Sequence, residues 1–234
     1  MTSFDKVNGF LLVDKPQGIT SFKVVQILRR VTGVKKIGHS GTLDPLATGL
    51  MICAIGRQYT KQLDSLMRLN KTYTGTAILG QSTDTYDADG EITKERPVPE
   101  SLSLDDLNEH KKQFEGQIEQ MPPSYSAKKI NGQRAYDLAR KGEEVVLEKK
   151  PVTIYEFNCS NLKHGNPTTF DFEIACSKGT YIRSLAHDLG ESLGAGGHIQ
   201  SLRRSKIEDI SVDDAVPLDD LTIDIVLDNL YAAL

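Results

Sequence analysis

The sequence predicts an α/β protein, a mixed sheet flanked by helices. Three observations carry that class. Short apolar runs bounded by Gly, Pro and Asp read as buried strands; stretches with apolar residues at helical spacing lie between them; and several strands follow one another directly along the chain. With 234 residues, 38% of them hydrophobic and 26% charged, the chain can bury a sizeable core as a soluble globular protein. The expected organisation is a single domain over residues 1–234.

The elements follow in order. Gly9 to Asp14 is an apolar run expected as a buried strand, and Lys15-Pro16-Gln17-Gly18 turns the chain. Ser21 is placed to cap a helix in which Val24, Val25, Ile27, Leu28 and Val31 share helical spacing, ending near Gly33. Leu50 to Ile55 is a second apolar strand, and a helix is expected over Gln58 to Leu69. Lys71 to Leu79 alternates as a strand, with Tyr73, Gly75, Ala77 and Leu79 on one side. Ser82 to Gly90 invites a calcium-loop reading. An acid at the first position and Glu at the twelfth are required, but Thr85 and Arg96 stand there, so an Asp-rich turn is the better reading.

A helix is expected from Leu104 to about Phe114, then a rigid extended segment from Met121 to Ser126, then a basic helix-like piece around Ala135 to Arg140. Val152 to Asn158 and Thr168 to Cys176 read as paired strands joined through His164-Gly165-Asn166-Pro167. Ser177-Lys178-Gly179 turns into a helix carrying Tyr181, Ile182, Leu185, Ala186 and Leu189, with Gly190 as its stop. An acidic C-terminal helical segment is expected over about 207–234, amphipathic from Leu218 to Leu230.

Composition narrows the partners. No apolar run reaches about eighteen residues, so no membrane span is expected. Met1 to Lys6 lacks a basic stretch leading into an apolar one, so no secretory signal is read there. Cys53, Cys159 and Cys176 are far apart, odd in number and set in apolar runs, which suits reduced core residues of a cytoplasmic protein. The Cys and His spacings offer no metal site. The net charge of −4 argues against nucleic acid, but eight of the 32 acids follow Lys206 while none of the 28 bases does. The rest of the chain is therefore basic. Its cations cluster at Arg29, Arg30, Lys35 and Lys36, at Lys128, Lys129, Arg134, Arg140 and Lys141, and at Arg203, Arg204 and Lys206. Each cluster alone reads more readily as a solvated face than as an RNA site; three of them flanking the Gly-rich motifs raise the RNA reading.

Chemistry is concentrated in Gly38-His39-Ser40-Gly41-Thr42-Leu43-Asp44-Pro45-Leu46-Ala47-Thr48-Gly49. One carboxylate sits in a loop with three glycines, a histidine and a φ-fixing proline, a way to hold one side chain while leaving room for a bulky ligand. This string resembles the catalytic-aspartate motif of the TruB family of tRNA pseudouridine synthases. The resemblance continues, in order, through Lys15-Pro16-x-Gly18-x-Thr20, Lys71-x-Tyr73, Pro122-Pro123-x-Tyr125-Ser126-Ala127-x-Lys129, Gly132-x-Arg134-Ala135-Tyr136-x-Leu138-Ala139-Arg140, Ser177 to Leu185, and Leu202-Arg203-Arg204.

The resemblance implies the pseudouridine synthase fold, with a mainly antiparallel sheet, and isomerisation of the T-loop uridine at tRNA position 55. It implies an RNA-contacting insertion over about 122–150. Many family members continue into a C-terminal RNA-binding domain of the PUA type; here the acidic segment stands instead, so recognition is expected to rest on the T-arm stem-loop. Asp44 becomes the nucleophile, attacking either the sugar or the base. Arg183 becomes the cation that keeps it ionised against burial, although a surface helix arginine is the plainer reading of the residue alone. Tyr73 stacks on the target base, Leu202 walls the pocket, and His39 fills the space left by the flipped base. Lys15, Pro16, Lys129, Arg134, Arg140, Lys178, Arg203 and Arg204 are the expected substrate contacts. No cofactor is expected, because the reaction is neither redox nor net hydrolysis, and the enzyme is expected to act as a monomer. Two other readings stand beside it: an RNA-folding chaperone using the same cleft, and a hydrolase. The hydrolase lacks a second carboxylate in a matching motif.

Overall fold

Near-continuous apolar runs become strands when both of their faces are covered, and the N-terminal part of the chain is built this way. In the computed structural model, residues 7–123, 129–130, 133–134 and 148–234 are described. They divide into two compact units, residues 1–73 with 202–234 and residues 74–201.

The first unit opens with β1 (Gly9–Lys15), α1 (Ser21–Thr32), β2 (Ile37–His39) and β3 (Thr48–Ile55). β1 and β3 pair antiparallel from Gly9 opposite Ile55 to Lys15 opposite Gly49, and β2 adds to β3 with His39 opposite Cys53. The residue capping α1 is Thr20 rather than Ser21: its side chain accepts from the Lys23 N–H, and Gly33 closes the other end at φ 71°. The expected single helix over 58–69 is two short ones, α2 (Arg57–Thr60) and α3 (Leu63–Arg68). The break lets Tyr59, Leu63, Leu66 and Leu69 all reach the core of Phe10, Leu12, Leu50, Ile52, Ala54, Ile207 and Val212. Each fully buried Leu, Ile or Phe there contributes about 1.5–3 kcal/mol.

β4 (Lys71–Leu79) leads into the second unit, which continues with β5 (Gln81–Thr83), β6 (Ile92–Glu95), α4 (Leu104–Lys111) and β7 (Gly116–Gln120). The short pair β8 (Lys129–Ile130) and β9 (Gln133–Arg134) precedes the long hairpin of β10 (Lys150–Lys163) and β11 (Thr168–Cys176). β10 pairs antiparallel with both β11 and β7, and the strand order is β4-β11-β10-β7. α5 (Ile182–Ser192) then lies between β11 and β12 (Gly197–Ile207). Ser103 and Asp106 form a capping box at α4. Gly190 is not the stop expected of it. It lies inside α5, where a Cβ would stand 2.4 Å from the Gly196 carbonyl carbon, so it permits close approach of the returning chain. Tyr181 stands just outside α5, at its N-cap position, rather than joining it.

The chain ends in the first unit. β12 pairs parallel with β3, Arg203 opposite Thr48, and its far end pairs with β13 (Ile210–Ser211). β14 (Val216–Pro217) runs parallel to β1. The expected acidic helix over 207–234 reduces to one α-helical segment, α6 (Ile223–Asp228), capped by Thr222. Edge pairing accounts for the difference. β14 lies on β1, and Tyr231 exchanges two backbone hydrogen bonds of 2.8 Å with Phe10. The expected basic helix at 135–140, and most of the expected insertion at 122–150, lie outside the described residues.

Gly49 joins the loop to the sheet and tests this packing. It has φ 105°, and a Cβ there would meet the Arg204 carbonyl oxygen at 2.3 Å. Gly49→Ala should destabilise the protein by about 3 kcal/mol or more, adding left-handed strain to overpacking. The check is urea unfolding; a midpoint equal to the parent's would refute the packing argument.

Candidate active site

Asp44 is half-buried in the loop between β2 and β3, and its two neighbours are fixed by the N-terminal turn. The Ser21 hydroxyl brackets Leu43, donating to its carbonyl at 3.0 Å and accepting from its N–H at 2.8 Å. This second task explains why Ser21 does not cap α1. On the other side, the Pro45 carbonyl accepts from the Gly18 N–H at 2.8 Å and from Lys15 Nζ at 3.4 Å. The Asp44 carbonyl itself closes a turn with the Ala47 N–H at 3.1 Å. Gly18 stands at φ 85°, a conformation open to glycine.

Lys15 is wholly buried and also donates to the carbonyls of Pro16 (2.9 Å) and Ile19 (2.8 Å). Burial lowers its pKa from 10.5 to about 8; the Asp44 carboxylate opposes that shift and Arg204 adds to it. Three charges thus meet around one loop. Arg204 lies beneath it, 1% exposed, with Nε donating to the Leu50 carbonyl at 2.7 Å and Nη2 to that of Gly41 at 3.3 Å. The sequence grouped Arg204 with solvent-facing cations; in the fold it braces the loop from inside. Arg203 is also engaged, in a two-pronged ion pair with Asp14 at 3.0 and 2.7 Å. Of that cluster Lys206 is the exposed member. His39 is half-buried at the end of β2, and burial lowers its pKa, with the Gly41 backbone opposing. Tyr73 is half-buried on β4, Leu202 is buried on β12 with its carbonyl facing the Thr48 hydroxyl at 3.5 Å, and Pro16 lies in the clamping turn.

A cleft of about 430 Å³ opens beside β2, lined by Lys36, Ile37, Gly38, Arg57, Thr60, Lys61 and Leu63. Its three exposed cations make it a candidate phosphate contact. Lys36 was expected from the basic clusters. Arg57 and Lys61 were not, since neither belongs to a run of like charge.

The second unit holds Arg183 in the first turn of α5, buried with 6% of its side chain exposed. Its Nη1 donates to the Thr85 carbonyl at 2.7 Å and lies 3.2 Å from Asp87 Oδ2, in a pair as buried as itself. Removing one partner of such a pair typically costs 3–5 kcal/mol. The plain surface reading of Arg183 is therefore wrong. The Asp-rich turn that failed as a calcium loop supplies its anchor. Asp87 is held by the Thr85 hydroxyl and the Asp89 N–H, and Asp84 accepts from the Glu91 N–H. The start of α5 is set by Gln120, whose amide donates to the Tyr181 carbonyl at 2.9 Å and accepts from its N–H at 2.7 Å. Asp87 and Gln120 went unnoticed in the sequence. For Asp87 a signal existed, an acid in a turn too irregular to bind calcium. Lys178 is exposed on the turn before α5. Lys129 and Arg134 face one another as backbone partners of β8 and β9, and Arg140 lies outside the described residues.

Known proteins resemble this chain along most of its length. The family model described as "TruB family pseudouridylate synthase (N terminal domain)" matches residues 29–182, and "tRNA pseudouridylate synthase B C-terminal domain" matches residues 183–230. tRNA pseudouridine synthase B of Chlamydia abortus is 44% identical over 209 residues, 89% of this chain and 86% of that protein. The protein of the same name from Paenarthrobacter aurescens is 43% identical over 218 residues, 92% and 70%. Among solved structures, a chain of a Cbf5-Nop10-Gar1 complex is similar with a TM-score of 0.67 and 28% identity, covering 93% of this chain and 54% of that one. A chain of an H/ACA RNP bound to a substrate RNA containing 2′-deoxyuridine gives 0.64 and 26%, covering 92% and 52%. This chain thus spans about half the length of those two.

The buried ammonium yields a stability prediction. Below pH 8 Lys15 is protonated in both folded and unfolded chains. Between about 8 and 10.5 the unfolded chain alone keeps the proton, so Lys15's contribution to stability rises with pH across that window. Urea unfolding from pH 7.5 to 10.5 should show the parent gaining on Lys15→Met, by at most about 3 kcal/mol. Parallel pH curves would mean the ammonium is not desolvated.

Proposed function

This chain belongs to the TruB family of pseudouridylate synthases, and we propose that it converts the uridine at position 55 in the T-loop of tRNA to pseudouridine, with Asp44 as nucleophile. The observation that carries the reading is the clamped carboxylate. Leu43 and Pro45 are fixed on either side of Asp44, and two buried cations, Lys15 and Arg204, surround its loop. A surface turn needs no such support. A nucleophile that must meet one atom of a flipped base does, since loss of alignment by about 1 Å can cost a hundredfold in rate.

In the reaction the bond from the ribose C1′ to N1 breaks and one from C1′ to C5 forms, while a proton leaves C5 and another is taken up at N1. Oxidation state is unchanged overall. Asp44 supplies the electron pair that starts the exchange, at the sugar or at the base. Arg183 carries over from the family motif as the guanidinium that keeps the nucleophile ionised. Tyr73 receives the extruded base on its ring, Leu202 lines the pocket, and His39 takes the vacated place in the loop. Flipping costs a few kcal/mol, offset by these contacts. Lys36, Arg57 and Lys61 meet phosphates of the T-arm, which position the RNA without reading its sequence. Lys178 and the β8–β9 residues Lys129 and Arg134 extend that set.

Asp44→Asn keeps the shape of the side chain and removes the nucleophile. Pseudouridine mapping in an unmodified tRNA transcript should show turnover abolished while tRNA is still bound; product at the parent rate would sink the mechanism. A T-arm stem-loop should also be a substrate, with binding that weakens as salt rises because each neutralised phosphate releases counterions. Reversing Lys36, Arg57 or Lys61 to Glu should flatten that salt dependence and raise KM more than it lowers kcat. An unchanged salt slope would remove the cleft from the RNA path.

A further inference from the structure

We propose that Tyr86 and His187 are positioning residues whose stacked rings hold the Thr85–Asp87 turn on Arg183. The proposal rests on the reading that Arg183 serves the reaction.

Tyr86 is one of three non-glycine residues at positive φ among the described residues, at 63°. That conformation is disfavoured for a bulky side chain and persists only where the surroundings impose it. Here they are identifiable. The Tyr86 N–H donates to the Thr83 carbonyl at 3.3 Å, and its own carbonyl accepts from the Ile199 N–H at 3.1 Å. Its ring lies on the imidazole of His187, with centroids 3.8 Å apart and planes 9° apart. His187 Nδ1 faces the Gly197 carbonyl at 3.3 Å, which makes Nδ1 the protonated nitrogen and fixes the ring plane.

The consequence is a two-point grip. Arg183 and His187 are four residues apart on α5 and so share a face. The left-handed turn at Tyr86 lets one short segment reach both of them. The Thr85 carbonyl and the Asp87 carboxylate take Arg183, and the ring between them takes His187. If the ring is lost, Tyr86 keeps only its backbone hydrogen bonds, and the turn, still closed by the hydrogen bonds to Asp87, can shift as one piece against Arg183. Burial, with Asp188 and Glu191, raises the phenol pKa, so the stacked ring stays neutral at working pH.

The experiment measures kcat and KM for pseudouridine formation in Tyr86→Ala, His187→Ala, Tyr86→Phe and Arg183→Ala, each with its melting temperature. The expected result is a loss in kcat of about ten- to a hundredfold for the first two, the scale of a 1 Å misplacement. KM should change little. Tyr86→Phe keeps the stack and should stay within about twofold of the parent, by the reasoning that the hydroxyl is not in the grip. The double variant Tyr86→Ala/His187→Ala should be no worse than either single one, since the two act as a unit. Should Tyr86→Ala fail to fold, His187→Ala decides alone, because it removes the stack without touching the left-handed residue. A folded His187→Ala with parental kcat overturns the proposal, as does a loss in Tyr86→Phe equal to that in Tyr86→Ala. An active Arg183→Ala would instead overturn the reading on which the proposal rests, whatever the other variants do.

Discussion

The bracket that the turn Lys15–Ser21 places on the Asp44 loop is the contact on which the first unit is organised. The eight-residue loop from Ser40 to Ala47 would sample many conformations if left alone, and fixing each residue costs about 1–2 kcal/mol. Here the cost is met by hydrogen bonds to the backbone. Ser21 takes both polar groups of Leu43, Gly18 and Lys15 take the Pro45 carbonyl, and Arg204 takes the carbonyls of Gly41 and Leu50. Two buried cations are costly in themselves. They persist because they saturate carbonyls that would otherwise be stranded, and because a carboxylate stands near enough to raise the Lys15 pKa against its burial.

This dependence explains which parts of the fold were legible in the sequence. The apolar runs that became β1 and β3 were readable because strands covered on both faces carry few competing signals. The helix starting at Leu104 was also anticipated, although its α-helical part ends at Lys111 rather than near Phe114. Errors fell where a residue's local preference was overruled by a distant partner. Ser21 looks like a helix cap, but its hydroxyl is spent on Leu43, so Thr20 does the capping. Gly190 looks like a helix stop, but it answers to the backbone of Gly196 and Gly197. The acidic tail looks like one amphipathic helix, but the open edge of β1 draws part of it into strand pairing.

The candidate site shows the same division. Asp44 was visible because its loop is chemically unusual at the level of the string. Arg203 and Arg204 looked alike in the string and are not alike in the fold. Adjacent residues on a strand point to opposite faces, so one pairs with Asp14 near the surface while the other enters the interior. A count of basic residues cannot see that alternation. It also misses Arg57 and Lys61, brought beside Lys36 by two short helices rather than by sequence proximity.

Asp87 is the clearest case of a residue whose role is set by the fold. In the sequence it belongs to an acidic turn whose obvious function, calcium binding, fails on spacing. In the fold the same turn is closed by its own side chains, with Thr85 and the Asp89 N–H on Asp87 and the Glu91 N–H on Asp84. The carboxylates are therefore ordered before any ligand arrives, and the one that is buried faces a buried guanidinium. A buried ion pair is a poor source of stability compared with an apolar pair of the same volume. Its retention here, supported by a strained tyrosine, makes sense if the orientation of Arg183 matters more than the energy of holding it. The first unit follows the same logic. Lys15 and Arg204 are buried at a cost and spend their donors on the loop that carries Asp44. Each unit thus invests stability in fixing one charged group from within.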